Sequence, residues 1–400
     1  MLKDYIVTIV NACGPRITGS EPDRKAIGLV KGFMGRSCDR VDVEEFDVAP
    51  RVLQRLTEII TYAVLAVFIA FFISPALSLV IGLVFGTLFF LSRWYDREII
   101  DRCMEKKKTA NVIGTVRPSG ETRQRLIVSG HHDSAFNMTL LHRQFVWLMP
   151  ILEFFTTVSM LVMLALSVYA MIRGELVYPF VPGRLWTGAL MVGFFGAVTS
   201  QIMRKGLVTD IETEGANDNL SSVAVAVGLA DYLGSHRPIN TEVMCISFGA
   251  EEPNTKGSQH FVRKHMDTLK AVPTYVLNFD MVGEDGTLRI VKREYEVRSR
   301  HSGTFVDFVR RVAQKSGINA RPGVLPFGNT DATPFSRKGL AATSLVRLDK
   351  TGLPGHWHTV EDTVKNIREE SLRECMELAL AVLEAMDMPA AAVDPAGLCD

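Results

Sequence analysis

Two blocks of the 400-residue chain run apolar without a charged interruption; elsewhere short apolar runs alternate with polar, turn-forming stretches. The first block is free of charge from Ile59 to Ser92, 34 residues, with Ser74-Pro75 near its middle. One helix of that length would measure about 51 Å, against a hydrocarbon core of about 30 Å. Proline breaks a helix interior and favours a turn, so the block predicts two helices meeting at Ser74-Pro75. The second block holds two charge-free runs, Phe154 to Ile172 and Leu185 to Met203, each of 19 residues, joined by RGELVYPFVPGR. Each is long enough to span a bilayer. Buried helices of soluble proteins rarely sustain such runs, and four in two pairs predict two membrane hairpins.

Outside these blocks the alternation is that of an α/β fold. β-rich runs, LIVSG at 126–130, VMCISFG at 243–249, YVLNFD at 275–280 and ATSLVRL at 342–348, are separated by helical patterns. Leu220 to Leu233 is one predicted helix. Ser371 to Met386 is another, with Leu372, Cys375, Met376, Ala379 and Leu383 on one face.

Composition supports this division. Hydrophobic content is 47% and mean hydropathy +0.15, high for a wholly soluble chain. Forty-four basic residues balance 44 acidic ones, which leaves no basic footprint for nucleic acid. The six cysteines are scattered without a CxxC pair, against a zinc-thiolate module or disulfide framework and in keeping with a reducing compartment. MLKDYIVTIVNACGPR lacks the long apolar region and cleavage site of a signal peptide.

Polar residues gather where the predicted strands end. His131-His132-Asp133 follows LIVSG, Glu251-Glu252 follows VMCISFGA, and Asp280 closes YVLNFD; Gly215-Ala216-Asn217-Asp218-Asn219 precedes a helix, and His356-Trp357-His358-Thr359 stands late in the chain. Open α/β sheets bind ligands at the carboxyl ends of strands, so these side chains can meet in one crevice. Two imidazoles with three or four carboxylates suit zinc or a similar divalent ion. Without a metal, carboxylates so packed repel and take up protons. Two metals sharing a carboxylate would acidify a water and polarise a carbonyl, while one further carboxylate moves the proton to the leaving amine. Paired glutamates can divide those tasks, one as ligand and one as base.

These motifs resemble the zinc-dependent exopeptidases that include bacterial secreted aminopeptidases, glutamate carboxypeptidase and glutaminyl cyclase. CGPRITGS, TANVIGTV, SGHHDS, GANDNLSS, FGAEEPNTKGSQHFV, NFDMVG, TDATPFSRKGL and WHTVEDTVKNI follow the family's order along everything but the two apolar blocks. The resemblance implies a mixed central β-sheet flanked by helices, a peptide substrate and two zinc ions. Carried over, it implies that His131, Asp218 and Asp280 bind one metal and that Asp218, Glu252 and His358 bind the other. Glu251 would be the general base and Asp133 the carboxylate that orients His131. His132 would point away by strand alternation, and His142, His260, His301 and His356 would be packing or surface residues. The chain departs from the pattern at Thr330-Asp331-Ala332, where Ser-Asp-His is usual, and at Phe327, where some members carry tyrosine. Asn329, Thr330 and Asp331 are the candidate substrate-pocket residues.

The resemblance leaves open an aminopeptidase, a carboxypeptidase, a glutaminyl cyclase-like enzyme, which relatives run with one zinc, or a silent scaffold. Filled ligand and base positions speak against the last. His131 precedes the second apolar block and the other implied ligands follow it, so that block must cross the membrane an even number of times; the same parity holds for the first. The expected organisation is a peptidase domain in three parts, 1–55, 93–144 and 204–389. Transmembrane hairpins occupy 56–92 and 145–203, and 390–400 forms a flexible tail. Arg51, Arg55, Arg93, Arg97, Arg102, Lys106, Lys107, Lys108, Arg143, Arg204 and Lys205 flank the spans on the peptidase side, and only Arg173 and Arg184 lie opposite. The positive-inside rule then predicts a four-span cell-membrane protein whose peptidase domain is cytoplasmic. The sequence sets no oligomeric state.

Overall fold

A computed structural model describes residues 1–94, 101–176 and 184–387. Arg97, residues 177–183 of the loop joining the last two apolar runs, and the 390–400 tail lie outside the described residues. The chain forms two compact units, one of residues 1–50, 105–135 and 212–400, the other of 51–104 and 136–211.

The first unit begins with α1 (Leu2–Cys13), α2 (Glu21–Met34) and β1 (Arg40–Val48). The second unit interrupts with α3 (Val52–Phe71) and α4 (Pro75–Trp94). The first resumes with β2 (Lys107–Val116) and β3 (Gln124–His131), and is interrupted again by α5 (Leu148–Ile172) and α6 (Arg184–Leu207). Then follow α7 (Ser221–Ser235), β4 (Thr241–Phe248), α8 (Lys256–Ala271), β5 (Thr274–Asp280), β6 (Thr287–Glu294) and β7 (Ser299–Arg300). The chain closes with α9 (Gly303–Lys315), β8 (Ala320–Leu325), α10 (Ala332–Arg337), β9 (Ala341–Leu348) and α11 (Glu369–Asp387). The four strands and two helices expected from the alternation therefore form, with ends shifted by a residue or two.

Among the described residues, nine strands make one mixed sheet in the order β1-β2-β4-β3-β5-β9-β6-β7, with β8 beside β6. The centre, β4-β3-β5-β9, is parallel. The β1–β2, β2–β4, β6–β9 and β6–β7 pairs are antiparallel. Strand alternation builds two cores. Leu126 and Val128 face one side, with α1, α2, α7, α9 and α11; Ile127 faces the other, against Phe261 of α8 and Phe335 of α10. Helix α7 is buried on nearly every side, from Ser221 to Ala230, because it lies against β3 and β4 and is covered by α1 and α11. Its all-round apolar sequence is the signature of such a position.

In the second unit α3 and α4 turn at Phe72–Ser74, as the Ser74-Pro75 break predicted. The α3 helix starts before the apolar run, taking in Arg55 and Glu58, which pair at 2.6 Å one turn apart. The four helices form a bundle: α3 packs on α4 and α6, and α5 on the same two. Gly82 meets Leu164, Gly193 meets Phe68 and Gly196 meets Ser159, so small residues let the helices approach. The outward side chains are apolar: Phe154, Leu161, Met191 and Phe194 are each about three-fifths exposed or more (61%, 60%, 67% and 62%). Among the described residues, three helices, Val52–Phe71, Leu148–Ile172 and Trp186–Leu207, are long and apolar enough to cross a membrane, and the apolar stretch Pro75–Leu91 is shorter.

Close approach of α7 to β3 yields a stability prediction. A methyl group on Gly130 would strike Ser222 Cβ and lie 3.1 Å from that residue's carbonyl carbon. Gly130→Ala should cost about 1–3 kcal/mol through this overpacking. Denaturant unfolding of the solubilised protein measures it, and an unchanged midpoint contradicts the packing.

Candidate metal centre

The parallel centre of the sheet brings the polar residues together. His131 ends β3, in register with Phe248 at the end of β4, and Glu251-Glu252 lies just beyond. Asp280 ends β5, in register with Val346 of β9, whose following loop carries His358. After β3 the chain adds β4 on one side and then β5 on the other, so strand order reverses at β3 and opens a crevice there. Asp218 enters from the turn before α7.

Asp218 is the centre of the cluster. Its Oδ1 lies 3.3 Å from His131 Nε2 and its Oδ2 lies 3.3 Å from His358 Nε2. Glu252 Oε2 is 3.1 Å from the same His358 nitrogen, and Glu251 Oε2 is 3.6 Å from His131 Nε2. Three overlapping groups have donor atoms mutually within 4.8 Å: His131, Asp218 and Asp280; Asp218, Glu252 and His358; and His131, Glu251 and Glu252. Asp218 Oδ2, Glu252 Oε1, Asp280 Oδ1 and Asp331 Oδ2 are buried without a hydrogen-bond donor. Buried oxygens in that condition, beside two imidazole nitrogens, fit a borderline divalent cation such as zinc.

The electrostatics describe the same crowding. Burial, and then Asp331, Asp280 and Glu252, push the Glu251 carboxyl well above its ordinary value against the pull of His131. Burial likewise raises Asp280 well above the usual range, with Asp218, Asp331 and Glu252 adding to it. Glu252 is raised by burial and by Asp218. Burial opposes charge on His358, but Glu252 and Asp218 override it and lift its pKa to about 10. On His131 burial is again outweighed, by Glu251, Asp133 and Asp218, and the pKa stands well above normal. Burial alone would raise Asp218, yet the two imidazoles hold it low. Each imidazole is thus drawn towards its charged form by the carboxylates around it.

A further layer fixes these groups. Asp133 is fully buried, with Oδ1 3.4 Å from His131 Nδ1. It accepts hydrogen bonds from Thr18 Oγ1 (2.7 Å) and from the amides of Glu251 (3.1 Å) and Glu252 (3.2 Å). One carboxylate therefore ties the end of β3 to the Glu-Glu turn. Asp362 takes the amides of Asn217 and Asp218 at 2.6 and 3.0 Å. Asn217 Oδ1 accepts from Gly283, and Asn219 Oδ1 accepts from Met281, which anchors the Asp218 turn beside Asp280. The sequence reading named Asn217 and Asn219 within their turn and quoted Asp362 within WHTVEDTVKNI, but gave none of them this anchoring task.

The 329–331 segment is divided. Asp331 is buried, accepts from Ser258 Oγ at 2.5 Å, and is raised to about 7 by burial first, with Asp133 and Glu294 adding. Thr330 is fully buried and donates to Glu294 at 2.6 Å. Asn329 is half-buried and donates to Asn254 and Thr255. His132 lies in the interior, Nδ1 2.8 Å from Ser247 Oγ and Nε2 3.4 Å from Asp23. His301 pairs with Glu294, His356 with Glu284 and His142 with Asn137, while His260 stacks on Phe46.

Compared with known families, residues 200–383 match Peptidase family M28. Aminopeptidase YwaD of Bacillus subtilis (strain 168) is 30% identical over 172 residues, 42% of this chain and 37% of that protein. The match therefore spans little more than a third of that relative's length. Among solved structures, BSAP, a zinc aminopeptidase from Bacillus subtilis, aligns with a TM-score of 0.55 at 16% identity, over 96% of this chain and 94% of its own. A glutaminyl cyclase from an Acidobacteriales bacterium aligns with a TM-score of 0.56 at 15% identity, over 96% and 93%. The fold is theirs, and the resemblance read from the sequence is borne out by the match of residues 200–383 to Peptidase family M28.

Proposed function

We propose that this protein is a membrane-anchored exopeptidase working with two zinc ions, specifically an aminopeptidase. The observation that carries this is Asp218, one oxygen of which faces each imidazole at 3.3 Å, with the Glu251-Glu252 pair alongside. His131, Asp218 and Asp280 would hold one ion; Asp218, Glu252 and His358 would hold the other. Zinc bound there supplies a polarised substrate carbonyl and an acidified water. Glu251 is the general base: it accepts the water's proton and returns it to the leaving amine. Asp133 fixes the ring of His131 and the backbone of both glutamates. Asn329 is assigned to the substrate side, with Thr330 and Asp331 holding the turn behind it. The aminopeptidase assignment is supported by the curated relative. A cyclase reading is supported by the shared fold; conversion of a peptide with N-terminal glutamine, together with uptake of a single zinc, would favour it.

Membrane anchoring is supported by the outward apolar faces of α3, α5 and α6 and by parity. β1 and β2 pair from Arg40–Thr115 to Val48–Lys107, so their connection must return to the side it leaves. His131 and Asp218, in contact, impose the same on α5 and α6. If α3 spans, α4 spans too. An apolar stretch of 17 residues does so by local thinning of the bilayer. The basic flanks support a cytoplasmic peptidase part.

Glu251→Gln should keep both zinc ions, read by metal analysis, and lose about 10²–10⁴-fold in hydrolysis of an N-terminally free peptide; full activity would remove Glu251 from its role. A C-terminally blocked peptide should still be cut and an N-terminally blocked one spared. Metal uptake should release protons, because Asp280 and His358 hold theirs above the usual range and ligands must shed them. Apparent zinc affinity should therefore rise with pH up to about 10, where His358 gives up its proton. Calorimetry in buffers of different ionisation enthalpy tests this, and a buffer-independent heat contradicts it. Protease added outside intact cells should leave the soluble unit whole; cleavage there would reverse the orientation.

A further inference from the structure

Arg16 is fully buried, an uncommon position for a guanidinium. Among the described residues its hydrogen bonds go to main-chain carbonyls. Nε donates to His132 O at 2.7 Å, Nη1 to Gly14 O at 2.9 Å and Glu214 O at 2.8 Å, and Nη2 to Gly215 O at 2.8 Å. Its own backbone exchanges two bonds with Ser134, at 2.8 and 3.1 Å. The cation thus pegs the turn just after His131 to the turn just before Asp218. Asp362, 1% exposed, grips the same loop from the other end through the amides of Asn217 and Asp218.

Residues 214–218 are therefore held from two sides, by the Arg16 guanidinium on the carbonyls of Glu214 and Gly215 and by the Asp362 carboxyl oxygens on two later amides. The loop has no slack. Gly215 has φ +62, and a methyl group there would lie 2.6 Å from Asp218 O, 2.6 Å from Ser134 Cβ and 2.9 Å from Arg16 Nη2. A buried cation is costly, and apolar replacements of buried ion pairs are often as stable, so stability alone is a weak reason for this arrangement.

We propose that Arg16 and Asp362 are positioning residues that clamp the 214–218 loop, so that the two oxygens of Asp218 face His131 and His358 together. This rests on the two-metal reading above, and its consequence is metal affinity rather than folding. The probe is Co²⁺ added to the full-length solubilised protein, read by visible absorption and by competition with a chelator. Arg16→Lys keeps the charge but loses the fork; Asp362→Asn keeps the shape but loses half of the two-amide grip. Both should fold by circular dichroism, bind cobalt about 10–100-fold more weakly and show an altered visible spectrum. Arg125→Met is the control: this buried arginine at the other end of β3 pairs with Glu242 at 2.6 Å, far along the strand from the cluster. It should lower the melting temperature and leave the cobalt spectrum and affinity unchanged. Wild-type affinity and spectrum in both clamp variants would overturn the proposal, as would an equal loss in Arg125→Met. If wild-type protein takes up one cobalt only, the two-metal reading falls, and the clamp is judged by that ion. Weakened binding in both variants supports it, and unchanged binding overturns it.

Discussion

A single carboxylate must reach two imidazoles that lie more than two hundred residues apart in sequence, and most of the first unit can be understood from that requirement. Asp218 sits 3.3 Å from each ring, while Glu252 competes for one and Glu251 for the other. Like charges so confined repel strongly where water is excluded. Such a cluster keeps its shape only if each side chain rests on a stiff backbone. The parallel β4-β3-β5-β9 centre supplies stiffness for His131 and Asp280. The turns that carry Asp218, Glu251 and Glu252 are fastened instead by buried side chains, chiefly Asp133, Asp362, Asn217 and Arg16.

The sheet and the cluster make different demands of the sequence. Apolar alternation along β3 is satisfied by two layers of helices, and many side chains of similar volume would serve there. The cluster tolerates little change. Asp133 illustrates the difference: it is as buried as any valine in the core, yet it receives donors from Thr18, Glu251 and Glu252 while facing His131. Removing its charge would free three donors and a ring at once.

Much of this was legible before any coordinates. The central strands announced themselves as short apolar runs ending in polar residues, and the implied ligands lay at those ends. The edge of the sheet did not. β8 contains Pro322 and Gly323, which weaken any strand signal and suit a strand outside the main path. Asp362 and Asn219 were illegible for another reason: they act on backbone amides and carbonyls of distant loops, and a side chain's partner on another loop leaves no spacing to read. Arg16 was visible as a motif letter without a task. Thr330 entered the candidate pocket through the resemblance, whereas its hydroxyl is bonded to Glu294 inside the fold. The helices of the second unit follow from the length and charge-free character of their apolar runs and from the Ser74-Pro75 break, but the start of α3 does not, because Arg55 and Glu58 extend it beyond its apolar run.

The two ends of the first unit are tied together: the amides of Leu2 and Lys3 donate to the carboxylate of Glu369 at 2.9 and 2.8 Å. His358 and Asp362 come only shortly before that tie. On the ribosome, a growing chain has therefore made β3, the Asp218 turn and the glutamate pair long before it has the second imidazole or the first helix's anchor. The cluster stays open, without its second imidazole, until residue 358 has been made. Closure of the cluster therefore waits on one late histidine.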